Sequence, residues 1–199
     1  MNIAHWKVGT RLAAGFGIVI VALAIVGGVG AVGMRALSDE LRLMVGDRFP
    51  KTVQANNMIE NLNVVARSSR NMLLLTDKEA IRKEAATILE ARKAVSENFA
   101  LLEKSITTPE GRAMIAKVAD LRRPFVAGTD VVIKAIEEGR RDDGIKLLLG
   151  EVRDAQFKFI DSITALIQLQ EQLMLASGQE AEARVDRSLT QILGFGGFA

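Results

Sequence analysis

Cysteine is absent from the 199 residues, and the one histidine, His5, stands near the N-terminus. Without cysteine there are no disulfides, thiolate zinc sites, iron–sulfur clusters, thioether-linked haem or cysteine nucleophiles. With one histidine, Ser/His/Asp relays and multi-histidine metal sites also fall away. An enzyme here would need carboxylate or lysine chemistry; the paired acids Asp142-Asp143 sit in a turn with nothing convergent around them, and no cofactor, metal or enzymatic activity is expected. Tyrosine is missing too, aromatics make up 5% of the chain and there are only 3 prolines, which excludes Pro-rich and stacking-platform architectures.

The surplus of cations is equally thin. The formal net charge is +2. Lys7 and Arg11 account for all of it, because no acid precedes Asp39 and the remaining cations and acids balance. Balanced, interspersed charge gives no stripe to track a phosphate backbone, so nucleic acid is not an expected partner.

What the chain does have is one long apolar run. From Leu12 to Met34 no side chain is charged. As a helix these residues would be about 34 Å long, enough to cross a hydrocarbon core of about 30 Å. Trp6, Lys7 and Arg11 flank the run as interfacial anchors, and the positive flank places the N-terminus in the cytoplasm. The reading is a cytoplasmic tail over 1–11 and a transmembrane helix over 12–34 in contact with membrane lipid. A cleaved signal peptide is the competing explanation, and its apolar core would be shorter. Ala24 with Gly28 and Gly27 with Ala31 have small-xxx-small spacing, which suits a homodimer contact as well as ordinary glycine usage in a spanning helix.

Residues 35–187 have a helical period almost throughout. The first helix continues from the anchor to about Leu75, with a kink or brief break expected near 46–50 because Pro50 lacks an N–H and crowds the carbonyl of Gly46. Thr76-Asp77-Lys78-Glu79 has capping-box spacing and opens the second helix. Its seam, Ile81, Ala85, Ile88, Val95, Phe99, Leu102 and Ile106, skips one place. Thr108 as N-cap and Pro109 at the first helical position start the third, whose seam is Met114, Val118, Leu121, Phe125, Val132 and Ile136. Pro124 lies inside it, and a bend is expected near Asp120. Gly139 to Gly144 reads as the polar turn into the fourth helix, with a seam of Leu148, Val152, Ala155, Phe159, Ile163, Leu166 and Leu173. Long helices joined by short turns pack as antiparallel neighbours. The expected fold class is all-α: an N-terminal transmembrane helix continuing into an antiparallel up-down-up-down four-helix bundle over 35–187. An even number of helices returns the chain to the bilayer, where 188–199 reads as the start of a truncated second transmembrane segment.

Anchor, bundle and return are the layout of bacterial chemoreceptors. Trp6-Lys7-Val8-Gly9-Thr10-Arg11-Leu12, Gly15-Phe16, the Thr108-Pro109-Glu110-Gly111 turn, the stretch from Gly144 to Arg153 and Gln170-Glu171-Gln172-Leu173-Met174 make the sequence similar to the N-terminal part of a methyl-accepting chemotaxis protein with a four-helix-bundle sensor domain. The resemblance implies a homodimeric receptor in the bacterial inner membrane, with a periplasmic bundle that binds a small attractant or repellent. Contacts with a kinase and adaptor would be made only through a cytoplasmic part that does not follow Ala199 here. Two other readings stay open: the sensor region of another signalling protein, such as a kinase or cyclase, and a tethered or secreted bundle that only binds partner helices.

On helix one, Asn56, Glu60, Asn63, Arg67 and Arg70 recur at steps of four and three and share a face. Arginines on the distal part of helix one hold the ligand carboxylate in related aspartate and serine receptors. Arg67 and Arg70 resemble these in type and location, and with Asn63 they are the expected ligand-binding residues. A guanidinium fork pairs bidentately with a carboxylate, so an amino acid or organic acid is the expected ligand. A solvated face or a polar dimer seam would give the same spacing. Arg122, Arg123 and Thr129 are lesser candidates.

Overall fold

The computed structural model describes residues 7–196. Trp6 and the outer ends of the two terminal segments, 1–6 and 197–199, lie outside the described residues. The described chain is helical almost without interruption: α1 (Val8–Leu43), a π-helical turn (Met44–Arg48), α2 (Phe49–Leu74), α3 (Lys78–Ser105), α4 (Pro109–Glu137), α5 (Arg141–Leu147), a second π-helical turn (Leu148–Val152) and α6 (Arg153–Gly196). It divides into two compact units, Gly46–Leu173 and the two chain ends up to Val45 and from Met174 onward.

The central unit is a four-helix bundle, and its polar bridges give the strand order of the helices. Arg92 on α3 reaches Asp130 on α4 while Ser96, one turn later on α3, meets Arg122, about two turns earlier on α4. Asn71 near the end of α2 donates to Glu84 near the start of α3 at 2.9 Å. Arg48 at the head of α2 donates to the carbonyl of Leu173, and Arg141 reaches back to the carbonyls of Leu73 and Leu75. Each helix therefore runs antiparallel to the next, and the α2–α3 and α4–α5 turns share one end. A continuous core fills the interior, with Met58, Leu62 and Val65 from α2, Ile88, Val95 and Leu102 from α3, Val118, Phe125 and Val132 from α4, and Phe159, Ile163 and Leu166 from α6. The rings of Phe125 and Phe159 meet tilted at 6.1 Å between centroids. Fully buried side chains of this size stabilise by about 1.5–3 kcal/mol each relative to exposure. The buried hydroxyls of Ser69, Thr129 and Ser162 donate to carbonyls of their own helices, so burial leaves them satisfied.

Helix boundaries follow local chemistry. At Pro50 the chain does not break; the preceding π turn widens the helix where the proline removes a donor from the ladder. Asp77, not Thr76, caps α3: its carboxylate accepts from the N–H of Ala80 at 2.8 Å. The capping-box reading was one residue early, because Asp at the next position meets the same orphan donors and brings negative charge to the positive helix end. Thr108 caps α4 by accepting from Gly111 N–H at 3.2 Å, with Pro109 following. The loop into the fourth helix is shorter than Gly139 to Gly144, since Arg141 is already helical. Gly139 alone, at φ 77°, reverses the chain, a conformation glycine adopts without Cβ crowding. Beside it, a hydrogen bond from Arg140 holds the Glu138 carboxyl below its usual range, with the guanidinium charge adding to the effect. The fourth helix then has a π turn early in its course, which the sequence period did not show.

In the other unit, α1 has no buried residue. The apolar stretch of the helix Val8–Leu74 is long and apolar enough to cross a membrane. Leu37 and Leu41, which continue the apolar spacing beyond the long run, are exposed there. Gly33 lies against Ser188 and Gly178 against Met44, so the later part of α6 runs antiparallel beside α1.

Candidate ligand site

The polar stripe of α2 stands on the surface: Asn56, Glu60, Asn63, Arg67 and Arg70 are all exposed, while Met58, Leu62 and Val65 between them are buried. Core residues and stripe residues alternate because both recur near the helical period. Arg70 is partly organised by its own helix, its Nε donating to the Ala66 carbonyl at 3.0 Å.

Against this face stands the start of the fourth helix. The π turn Leu148–Val152 contains Gly150 at φ −99°, ψ −108°, outside helical values. On either side Leu148 and Val152 remain buried, and Leu149 turns outward. The turn and the first residues of α6 close a cavity of about 410 Å³ whose α2 wall is Asn63, Ala66 and Arg70 and whose opposite wall includes Leu149, Arg153, Gln156 and Phe157. The Arg153 guanidinium lies over the Phe157 ring at 5.4 Å, a contact that orients the cation without neutralising it.

Two of the three residues predicted from helix one thus come together. Asn63 and Arg70, two helical turns apart, line the same cavity; Arg67 is exposed on the same stripe but does not line it. Arg153 and Gln156 complete the site and were missed by the sequence reading. The available signal was the interval Arg153-Asp154-Ala155-Gln156, which repeats on α6 the three-residue polar spacing that drew attention on α2. No acid lines the cavity, and among the described residues neither Arg70 nor Arg153 has a carboxylate within 4 Å. Two guanidiniums, two side-chain amides and an aromatic face are suited to holding an anion by charge-assisted, directional hydrogen bonds.

Of the lesser candidates, Thr129 is fully buried with its hydroxyl committed to Phe125. Arg123 pairs with Asp120 on its own helix at 2.8 Å, and Arg122 turns toward α3, donating to Ser96 Oγ at 2.6 Å. No group of three or more His, Asp or Glu able to hold a metal occurs among the described residues.

The central unit is thus a four-helix bundle with a cavity lined by two arginines and two side-chain amides between its first and last helices. The family model of a four-helix bundle sensory module for signal transduction matches residues 5–185. The chain belongs to that family, the sensory module of methyl-accepting chemotaxis proteins. No curated protein matches the sequence.

Proposed function

We propose that this sensory module is the ligand-binding region of a membrane-anchored chemoreceptor and that its ligand is a small organic acid. The observation that carries the reading is the cavity in which Asn63 and Arg70 face Arg153 and Gln156. Two guanidiniums without acidic partners favour a ligand with two carboxylates, since each guanidinium can take one in a bidentate pair. An α-amino group would find only amide and carbonyl oxygens there. In this reading α1 is an uncleaved anchor in the inner membrane, the N-terminus is cytoplasmic and the bundle is periplasmic. The receptor is a homodimer, with Arg67 on the exposed stripe available to the second copy. The module binds its ligand without transforming it, and chemotactic output belongs to a cytoplasmic part beyond this chain.

The test is calorimetric titration of the purified full chain with succinate, malate, citrate, aspartate and serine. Saturable binding of a di- or tricarboxylate that weakens about tenfold or more in Arg70→Ala and in Arg153→Ala is expected. Equal affinity in both variants removes the cavity from the function. Arg67→Ala separates the stripe from the cavity: loss there, with Arg70→Ala unchanged, would move the site to the outer face.

A further inference from the structure

A second cavity lies on another side of the bundle, between α3 and α4. It holds about 250 Å³ and reaches from exposed Leu89 and half-buried Arg92 and Arg122 inward to Leu62, Phe125 and Phe159, which belong to the core. Its origin is readable in the heptad pattern. The α3 seam skips a place between Ile88 and Val95, where Arg92 stands. Arg92 puts a polar side chain where the α3 seam would otherwise supply an apolar one, and the space beside it is walled on α4 by Arg122, Phe125 and Val126.

The cations at the mouth are not equivalent. Arg92 is neutralised by Asp130 at 2.6 Å and also donates to the Val126 carbonyl. Lys93 has Glu97 at 3.9 Å. Arg122 is half-buried, stacked over the Phe99 ring at 5.8 Å, and donates to the neutral hydroxyl of Ser96. Among the described residues no carboxylate lies within 4 Å of it. One uncompensated guanidinium thus stands at the opening of an aromatic and aliphatic cleft, and an anion placed there would gain a charge-assisted pair in a partly desolvated setting.

We propose that this cleft is a second ligand site, separate from the α2–α6 cavity, for a monocarboxylate with an aromatic or branched aliphatic body. The carboxylate pairs with Arg122 and the apolar body enters between α3 and α4 toward Phe125 and Phe159. The single available charge distinguishes it from the doubly cationic cavity, and the apolar floor distinguishes its ligand from a small polar acid. Because the residues are distinct, the proposal stands or falls independently of the function assigned to Arg70 and Arg153.

The test uses the full chain in lipid nanodiscs, which keep detergent out of the cleft, with 4-fluorobenzoate as the probe followed by ¹⁹F NMR. Saturable binding is expected, weakened about tenfold or more in Arg122→Gln and unchanged in Arg70→Gln. Leu89→Trp, at an exposed rim position that can take a large side chain without disturbing the core, is expected to weaken binding by covering the opening. Absence of saturable binding overturns the proposal, as does equal affinity in both Arg122→Gln and Leu89→Trp. Loss of binding in Arg70→Gln would place the probe in the α2–α6 cavity and overturn it as well.

Discussion

Arg92 on α3 donates to the carboxylate of Asp130 on α4 at 2.6 Å across the interface between the two helices. The arginine is mostly covered, with 18% of its side chain exposed, and Asp130 remains open to water at 59%. An ion pair in this setting is screened on one side, and a double-mutant cycle with Arg92→Met and Asp130→Asn should give a coupling of about 0.5–1 kcal/mol. The Arg92→Met single variant should lose more than the coupling, because it also removes the guanidinium's added donation to the Val126 carbonyl. Urea unfolding of the four proteins measures both; a coupling indistinguishable from zero would show that Arg92 acts through packing and the carbonyl alone.

Gly139 should be among the costliest single positions outside the core. Its φ of 77° lies in the left-handed region, and a Cβ there would meet nothing within 4 Å. The penalty of Gly139→Ala is therefore purely conformational, about 1–2 kcal/mol. Gly139→Asn should recover part of it, because Asn tolerates that region. Thermal unfolding monitored by far-ultraviolet circular dichroism ranks the three; equal melting of Ala and wild type would contradict the turn geometry.

The two caps offer a direct comparison between spacing and structure. Asp77→Ala and Thr108→Ala should each destabilise by about 1 kcal/mol, as each removes the acceptor for an otherwise orphan N–H. Thr76→Ala, the position favoured by the capping-box pattern, should change stability by only a few tenths of a kcal/mol. Denaturant midpoints for the three variants decide the cap; a Thr76 effect as large as that of Asp77 would reassign it.

The difference between these positions shows how far local sequence reaches. The seams on α3 and α4 are legible because an apolar residue every three or four places can be buried in one way only, and Ile88, Val95, Phe99, Leu102, Val118, Phe125, Val132 and Ile136 are all in the core. The Thr108-Pro109 start is legible because cap and proline agree. Thr76 and Asp77 are adjacent residues with the same capping chemistry, so only the tertiary position of the helix selects between them. For the candidate site, one wall could be read and the other could not. Asn63 and Arg70 stand on an uninterrupted helix whose period gives their face directly. Arg153 and Gln156 follow a π turn, which adds a residue to the local period and shifts the face of everything after it relative to α5. Their approach to α2 depends on that shift and on antiparallel register, neither of which is encoded in the spacing of two residues.

The same π turn depends on Gly128. A Cβ built there would fall 2.8 Å from Val152 Cγ2, at the end of the turn that walls the candidate site. Val152 is buried, and its branched side chain has little rotamer freedom with which to move aside. Helix propensity alone would make Gly128→Ala stabilising by about 1 kcal/mol; the overlap should outweigh it, since overpacking typically costs about 1–3 kcal/mol. Val152→Ala alone should destabilise by leaving a void. The double variant should be more stable than the sum of the two effects, because the smaller side chain removes the clash. If the π turn holds Arg153 opposite Arg70, Gly128→Ala should also weaken organic-acid binding although Gly128 does not line the cavity, and Gly128→Ala with Val152→Ala should restore part of the affinity. Parallel urea denaturation and calorimetry test the two halves. Stability lost without any change in affinity would separate the turn from the site, and a Gly128→Ala variant as stable as wild type would show that the turn can move at no cost.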